Sequence, residues 1–220
     1  MRKVKISPEV SGRCSGVCLG LLQGTVRVEE SCAALRQELL SVCAHLHDRC
    51  KLEDIVKIPE IEDTRACYRA LGKDAHRYRG SAEAMMRRAV REKGLYFINN
   101  VVEVNNIISL KSAFCLGTYD TAHLHGTLTL ARAPEGAVYQ GIGKEEFHIE
   151  FLPVLTDDAG PFGNPSSDSV RAMITEKTQE ILLVIYSFSG RAGVMGYLEQ
   201  ADRLLTRYCA GGRFERAVME

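Results

Sequence analysis

Stretches apolar enough to cross a membrane are missing from this 220-residue chain. The early run Leu19–Leu22 is four residues long, far short of a signal-peptide core or of the roughly 20 residues a spanning helix needs. The chain is therefore expected to be cytoplasmic, with no membrane contact. A net charge is missing too. The 28 basic residues are balanced by 28 acidic ones, which excludes a general polycation that coats nucleic acid by bulk electrostatics. There is no Gly-x-Ser-x-Gly elbow, no Walker loop and no dinucleotide-binding glycine fingerprint. ATP, NAD and serine-hydrolase chemistry of the familiar kinds thus have no sequence support. Cys-x-x-Cys pairs, internal repeats and low-complexity segments are absent as well.

What is present fits a globular protein: 45% hydrophobic and 25% charged residues, enough for a sizeable core in one domain spanning 1–220. The eight cysteines are scattered through apolar or helical contexts. In a reducing compartment they are expected to be small core residues, without disulfides. Cys43, His47 and Cys50 share one face of a helix but lack a fourth ligand, and His123 and His125 lack a partner. No metal and no cofactor is therefore expected. Cys115 and the Ser166-Ser167-Asp168-Ser169 cluster have no histidine beside them in sequence, which weakens them as nucleophiles.

The charge balance hides one lopsided segment. From Arg65 to Lys93 there are nine basic residues and only three acidic ones. A cationic segment in a neutral protein suits a local polyanion track, although a solvated helix face would look the same in sequence.

Periodicity divides the chain into three parts. Residues 1–60 read as short strands (Val4–Ile6, Gly16–Leu22, Thr25–Val28) followed by an amphipathic helix over 30–50, with Leu35, Leu39, Val42 and Leu46 in helical spacing. Residues 61–190 form the middle. Thr64–Leu71 reads as a helix stopped by Gly72, and Ser81 caps another whose apolar stripe is Ala82, Met85, Met86, Ala89 and Val90. Thr127–Arg132 and Ala137–Gly141 flank Pro134-Glu135-Gly136 as a predicted hairpin, Phe151–Asp157 is a strand candidate, and Asp157–Ser169 is a thirteen-residue loop. A loop of that length in a compact domain is more often functional than not. Ile181–Phe188 reads as a buried strand, and residues 191–220 as a C-terminal helix carrying Val194, Tyr197, Leu198, Ala201 and Leu205. The class is α+β.

The most informative stretch is Ile98-Asn99-Asn100-Val101-Val102-Glu103-Val104-Asn105-Asn106. Four amides and a carboxylate are interleaved with aliphatic residues. An unpaired polar group beside a core costs about 1–3 kcal/mol, so mere packing would not select them. Each amide offers two donors and an acceptor, suited to a ligand with both. Asparagine also satisfies backbone groups at helix ends and turns. The Val and Ile content favours a strand, while Ile98, Val101, Val102, Asn105 and Ile108 fit one helical stripe; periodicity leaves both open.

The string INNVVEVNN resembles the hallmark of the B3/B4 domain of the phenylalanyl-tRNA synthetase beta subunit, which reads close to INNVVDVTN. Supporting elements follow in the same order: Thr118-Tyr119-Asp120, Gly126, Asp157-Asp158 with its Gly/Pro loop, Ser167-Asp168-Ser169 and Thr175-Glu176-Lys177-Thr178. The likeness covers roughly 65–190. Arg65-Ala66-Cys67-Tyr68 and the Ser81–Arg88 segment resemble free-standing members of the family.

The resemblance implies a mixed, largely antiparallel, barrel-like sheet core with flanking helices, and a largely helical 98–111. In the synthetase this domain hosts the site that hydrolyses tyrosine wrongly esterified to phenylalanine tRNA. Synthetase catalytic motifs and an anticodon-binding module are not visible here. The implied function is therefore a tRNA-binding protein that hydrolyses mischarged aminoacyl-tRNA in trans, a deacylase and not a ligase. The alternative is a non-catalytic tRNA- or amino-acid-binding module. Asn106 keeps the hallmark asparagine of the editing pocket, Asn105 replaces the usual threonine, and Gly117 stands where the synthetase commonly has histidine. Asn105 and Asn106 are thus the expected catalytic pair. Asn99, Asn100, Glu103, Gly117 and Asp168 are the expected substrate contacts. Arg79, Arg87, Arg88 and Arg91 are the expected hold on the phosphates of the tRNA acceptor end.

Overall fold

The structure, a computed structural model, describes residues 1–220. In chain order the elements are β1 (Val4–Ile6), α1 (Pro8–Arg13), β2 (Cys18–Thr25), α2 (Ala33–Arg49), α3 (Pro59–Leu71), α4 (Ser81–Val90), α5 (Asn100–Ser112), β3 (Cys115–Asp120), β4 (Leu128–Arg132), β5 (Val138–Tyr139), β6 (Phe147–His148), β7 (Pro153–Asp157), β8 (Gly160–Gly163), β9 (Glu180–Ser187), α6 (Val194–Tyr208) and β10 (Gly212–Met219). The class is α+β. No helix is long and apolar enough to cross a membrane.

Two four-stranded sheets carry the fold. One has the order β10-β2-β9-β3, antiparallel throughout. The other has the order β1-β4-β7-β8, with β1 parallel to β4 and the rest antiparallel. A two-stranded ribbon, β5-β6, stands apart. The sheets stay open, which corrects the expectation of barrel-like closure: each ends in edge strands.

Strand β9 explains the arrangement. Its residues Ile181 to Tyr186 are fully buried, so both faces need a cover. Helices α5 and α6 pack on one face. On the other, Tyr119 meets Phe162 of β8 edge-on, with ring centroids 5.0 Å apart. Close approach of α6 needs Gly20, where a Cβ would stand 2.5 Å from Val194 Cγ1. On α5, Val101, Val104, Ile107 and Ile108 have no exposed surface; each such side chain contributes about 1.5–3 kcal/mol on burial.

Several local expectations change. The short helix α1 was not foreseen; Ser7 caps it and Pro8 takes its first turn. Pro134 and Gly136 do turn the chain, but β4 pairs with β7 and β5 with β6, so 127–141 is not a hairpin. The 157–169 loop contains β8, joined to β7 by a tight turn. Residues 191–220 hold a strand as well as a helix, since β10 pairs with β2 along its length. Ser81 is the first residue of α4 and Gly80 is its N-cap; a Cβ on Gly80 would strike Cys115 Sγ. The cysteine expectation is corrected in part. Cys14 and Cys67 form a disulfide that ties the end of α1 to α3, while Cys18, Cys115 and Cys209 are buried free thiols.

Candidate functional site

Helix α5 settles the two-way reading of the asparagine stretch, and its four amides separate into two groups. Asn99 is the N-cap: its Oδ1 accepts from the Val102 N–H at 2.9 Å. Asn100 is buried with its hydrogen-bonding capacity filled. Its Oδ1 accepts from the Glu29 and Val101 N–H groups, and its Nδ2 donates to the Arg27 and Tyr208 carbonyls. It staples the start of α5 to the segment after β2 and to the end of α6. The expectation that Asn100 contacts substrate is thereby corrected, since its amide is fully used within the fold; Asn99, whose Oδ1 caps α5, does not line the cavity at Asn105 and Asn106.

Asn105 and Asn106 are different. With Val102 they stand at i, i+3 and i+4, on the face of α5 turned away from the core, and all three line a cavity of about 400 Å³. Thr118 and Leu116 of β3, Ser81 and Met85 of α4, and Asp168 complete its polar and central parts. Thr118 Oγ1 donates to Asn105 Oδ1 at 3.0 Å, and Asn105 Nδ2 reaches Asn106 Oδ1 at 3.4 Å. The second N–H of Asn105 and both of Asn106 have no partner in the protein and are available to a ligand.

Alternation along β3 sends residues 116 and 118 to the cavity and residues 117 and 119 to the opposite face. Gly117 is therefore not a cavity residue, a correction to the expectation that it shapes the pocket by direct contact. Its role is spatial. A Cβ at Gly117 would lie 2.0 Å from the Tyr119 hydroxyl, and one at Gly163 would lie 2.2 Å from it. Two glycines thus make room for one phenol. That hydroxyl donates to Asp168 Oδ1 at 2.7 Å and meets the Tyr186 hydroxyl at 2.6 Å.

Asp168 ends a loop wound around the side chain of Asn164, which is buried. Asn164 Oδ1 accepts from the Ser166 and Ser167 N–H groups, its Nδ2 donates to the Ser167 carbonyl, and its own N–H donates to Asp168 Oδ1. The other carboxylate oxygen of Asp168 receives no hydrogen bond from the protein. Burial pushes the carboxyl up to about 7, against the hydrogen bonds from Tyr119 and Asn164 that favour the charged form. A carboxyl that changes charge near neutrality, on a cavity wall, is the kind of group that acid–base chemistry uses.

Glu103 does not line the cavity. It is fully buried; Oε1 accepts from the Ile98 N–H at 2.7 Å and Oε2 has no partner. Burial raises its carboxyl above the ordinary value. The expected substrate contact at Glu103 is corrected to a clamp on the backbone before α5. Cys115 is likewise inert, a thiol raised by burial beneath the N-terminus of α4.

Helix α4 separates this cavity from a second concavity of about 500 Å³. Ser81 and Met85 face the first; Ala84, Arg87, Arg88 and Arg91 face the second. Seven cations and no carboxylate line this groove, with Lys144 and Phe147 arriving from the β5–β6 ribbon. Six of the nine basic residues of the 65–93 segment thus share a concave surface. Beneath it, the buried Glu83 accepts two 3.0 Å bonds from Arg65 and one of 2.8 Å from Arg87, with Arg79 at 3.6 Å. Arg88 donates to the Gly94 carbonyl, and Arg91 is exposed with no ion pair. All four expected RNA-binding arginines line the groove. Lys144 and Thr118 were not foreseen, though Thr118 was legible by alternation with Tyr119.

Comparison with known proteins identifies the family and the fold. The sequence profile of the B3/4 domain matches residues 63–219, well over half of the chain, and the chain belongs to that family. Among solved structures it is similar to an N-terminal fragment of the phenylalanyl-tRNA synthetase beta-subunit from Pyrococcus horikoshii, with a TM-score of 0.53 and 10% identity. The match takes in 99% of this chain and 54% of that fragment, so the chain spans about half the length of its structural relative. At that identity the likeness is one of fold. No curated protein matches the chain.

Proposed function

We propose that this B3/4 domain binds the aminoacylated 3′ end of a tRNA and hydrolyses the ester of a mischarged amino acid in trans. One observation carries the proposal: a cavity with free amide donors and an Asp168 carboxylate poised near neutrality lies across a single helix from a groove of seven cations. The groove takes acceptor-end phosphates. The Asn105 and Asn106 amides hold the ester carbonyl and the ribose hydroxyl. The free oxygen of Asp168 takes a proton from water as that water attacks the carbonyl; as the ester C–O bond breaks, Asp168 returns this proton to the leaving ribose oxygen, giving free amino acid and uncharged tRNA. Aminoacyl esters are intrinsically labile, so positioning alone supplies much of the rate.

A second reading, a binding module without hydrolysis, draws support from the Asn105–Asn106–Thr118 chain, which already satisfies part of the amide capacity. A panel of tRNAs carrying non-cognate amino acids separates the two. Hydrolysis above the spontaneous rate, rising with pH to a plateau above about 7, supports the enzyme. Tight binding with no hydrolysis of any ester leaves the module.

A further inference from the structure

Exposed apolar side chains are unevenly placed in this molecule. Of the nine large hydrophobics left exposed, Ile98, Ile142 and Met173 line the asparagine cavity, and Tyr96 and Phe97 run directly into Ile98. Tyr96 is 71% exposed and Phe97 42%. Five of the nine thus belong to the cavity or to the segment that leads to it, and exposed apolar surface gathered in one region marks an interaction site.

Both rings are backed by cations. The Arg88 guanidinium lies over the Tyr96 ring at 4.8 Å from its centroid, and Arg36 over Phe97 at 5.2 Å. Each ring thus carries a cation on one face and keeps exposed surface. Arg88 also lines the cationic groove and Ile98 lines the cavity, so the Tyr96–Ile98 segment links one to the other, with Phe97 set against Arg36 of α2. The chain immediately after the two rings is fixed as well. The buried Glu103 carboxylate holds the Ile98 N–H, Asn99 caps α5, and Asn100 staples the helix start to two neighbouring segments. The polar residues of this stretch that do not reach the cavity all serve to hold the ledge before it.

Building on the function proposed above, we propose that Tyr96 and Phe97 form a stacking ledge for the unpaired bases of a single-stranded RNA 3′ end entering the cavity. Rigid aromatic faces beside phosphate-binding cations are the elements that hold single strands without reading sequence. A duplex offers no free base faces, so the ledge selects an overhang.

The test compares a hairpin RNA with a four-nucleotide 3′ overhang (about the reach of two stacked bases and a terminus) against the same hairpin cut blunt. Wild-type protein is expected to bind the overhang more tightly. The double change Tyr96→Ala, Phe97→Ala should weaken overhang binding by about 5- to 150-fold for each stacked base released. It should leave blunt-hairpin affinity and the salt slope where they were. Tyr96→Phe should keep the overhang preference, since it keeps the ring. An overhang preference untouched by removing both rings, or an equal weakening on both RNAs, overturns the ledge. If ring removal has no effect while Arg87→Ala, Arg88→Ala flattens the salt dependence, only the ledge fails and the RNA-binding proposal stands. If wild-type protein binds neither RNA at low salt, both fail together.

Discussion

Replacing Asp168 by asparagine should stabilise the protein while removing its hydrolytic activity. The fold holds this carboxyl near 7 where its ordinary value is 3.8. The direction is upward, so the native state resists ionisation and binds the proton more tightly than the unfolded chain does. The stability that the protonated group contributes is intact below pH about 4 and is lost as pH rises through about 7. At about 1.4 kcal/mol for each unit, full ionisation at pH 8 works against the fold by roughly 4 kcal/mol, an upper bound that cavity water reduces. Asparagine keeps an acceptor for the Tyr119 hydroxyl and the Asn164 N–H, and it never ionises. Urea unfolding of both proteins from pH 4 to 8 measures the difference directly. The variant's advantage should be small at pH 4, widen to pH 7, and then stay level. An advantage that does not change with pH, or a variant less stable at pH 8, would show that the fold does not raise the Asp168 carboxyl and would refute the reasoning.

Other changes probe the remaining parts. Asn106→Ala should abolish hydrolysis of a susceptible aminoacyl-tRNA while changing binding less than about tenfold, because the groove and the rest of the cavity still hold the RNA; unchanged turnover removes Asn106 from the site. Arg87→Ala with Arg88→Ala should weaken tRNA binding and reduce the slope of log affinity against log salt by about 0.7–0.9 for each phosphate no longer neutralised. Gly117→Ala should cost about 1–3 kcal/mol in chemical denaturation by displacing the Tyr119 ring. It should also move the rising limb of the pH–rate profile upward, since Asp168 is deprived of a bond that favours its charged form.

Much of the architecture was legible where periodicity is long and local. Helices α2, α3, α4 and α6 and the buried strand β9 follow from apolar spacing and from stops such as Gly72, which sits at a φ of 96° as a left-handed cap. The asparagine stretch was ambiguous because Val and Ile serve helix and strand alike; what decides it is Asn99 acting as a cap, a short-range signal that composition does not weigh. Pairing was not legible. Thr129 prefers Thr156 to any residue just beyond Pro134, a choice made by distant packing. The cavity pair Asn105 and Asn106 came from sequence, as did Asp168, but nothing in sequence separated them from Asn100 and Glu103. That difference lies in which face of α5 each residue occupies and in which distant carbonyls it meets. Tyr96 and Phe97 went unnoticed because apolar residues are read as core until a structure leaves them outside.

The central claim is that an RNA 3′ end sits in the asparagine cavity. Photocrosslinking with a tRNA whose terminal nucleoside carries a photoreactive group, followed by mass spectrometry of the modified peptides, tests it most directly. Crosslinks are expected on Met85, Ile98, Val102 or Met173, the apolar walls of the cavity. Crosslinks confined to the separate groove between α2 and α6, at residues such as Val42, Leu46 and Tyr197, would contradict it.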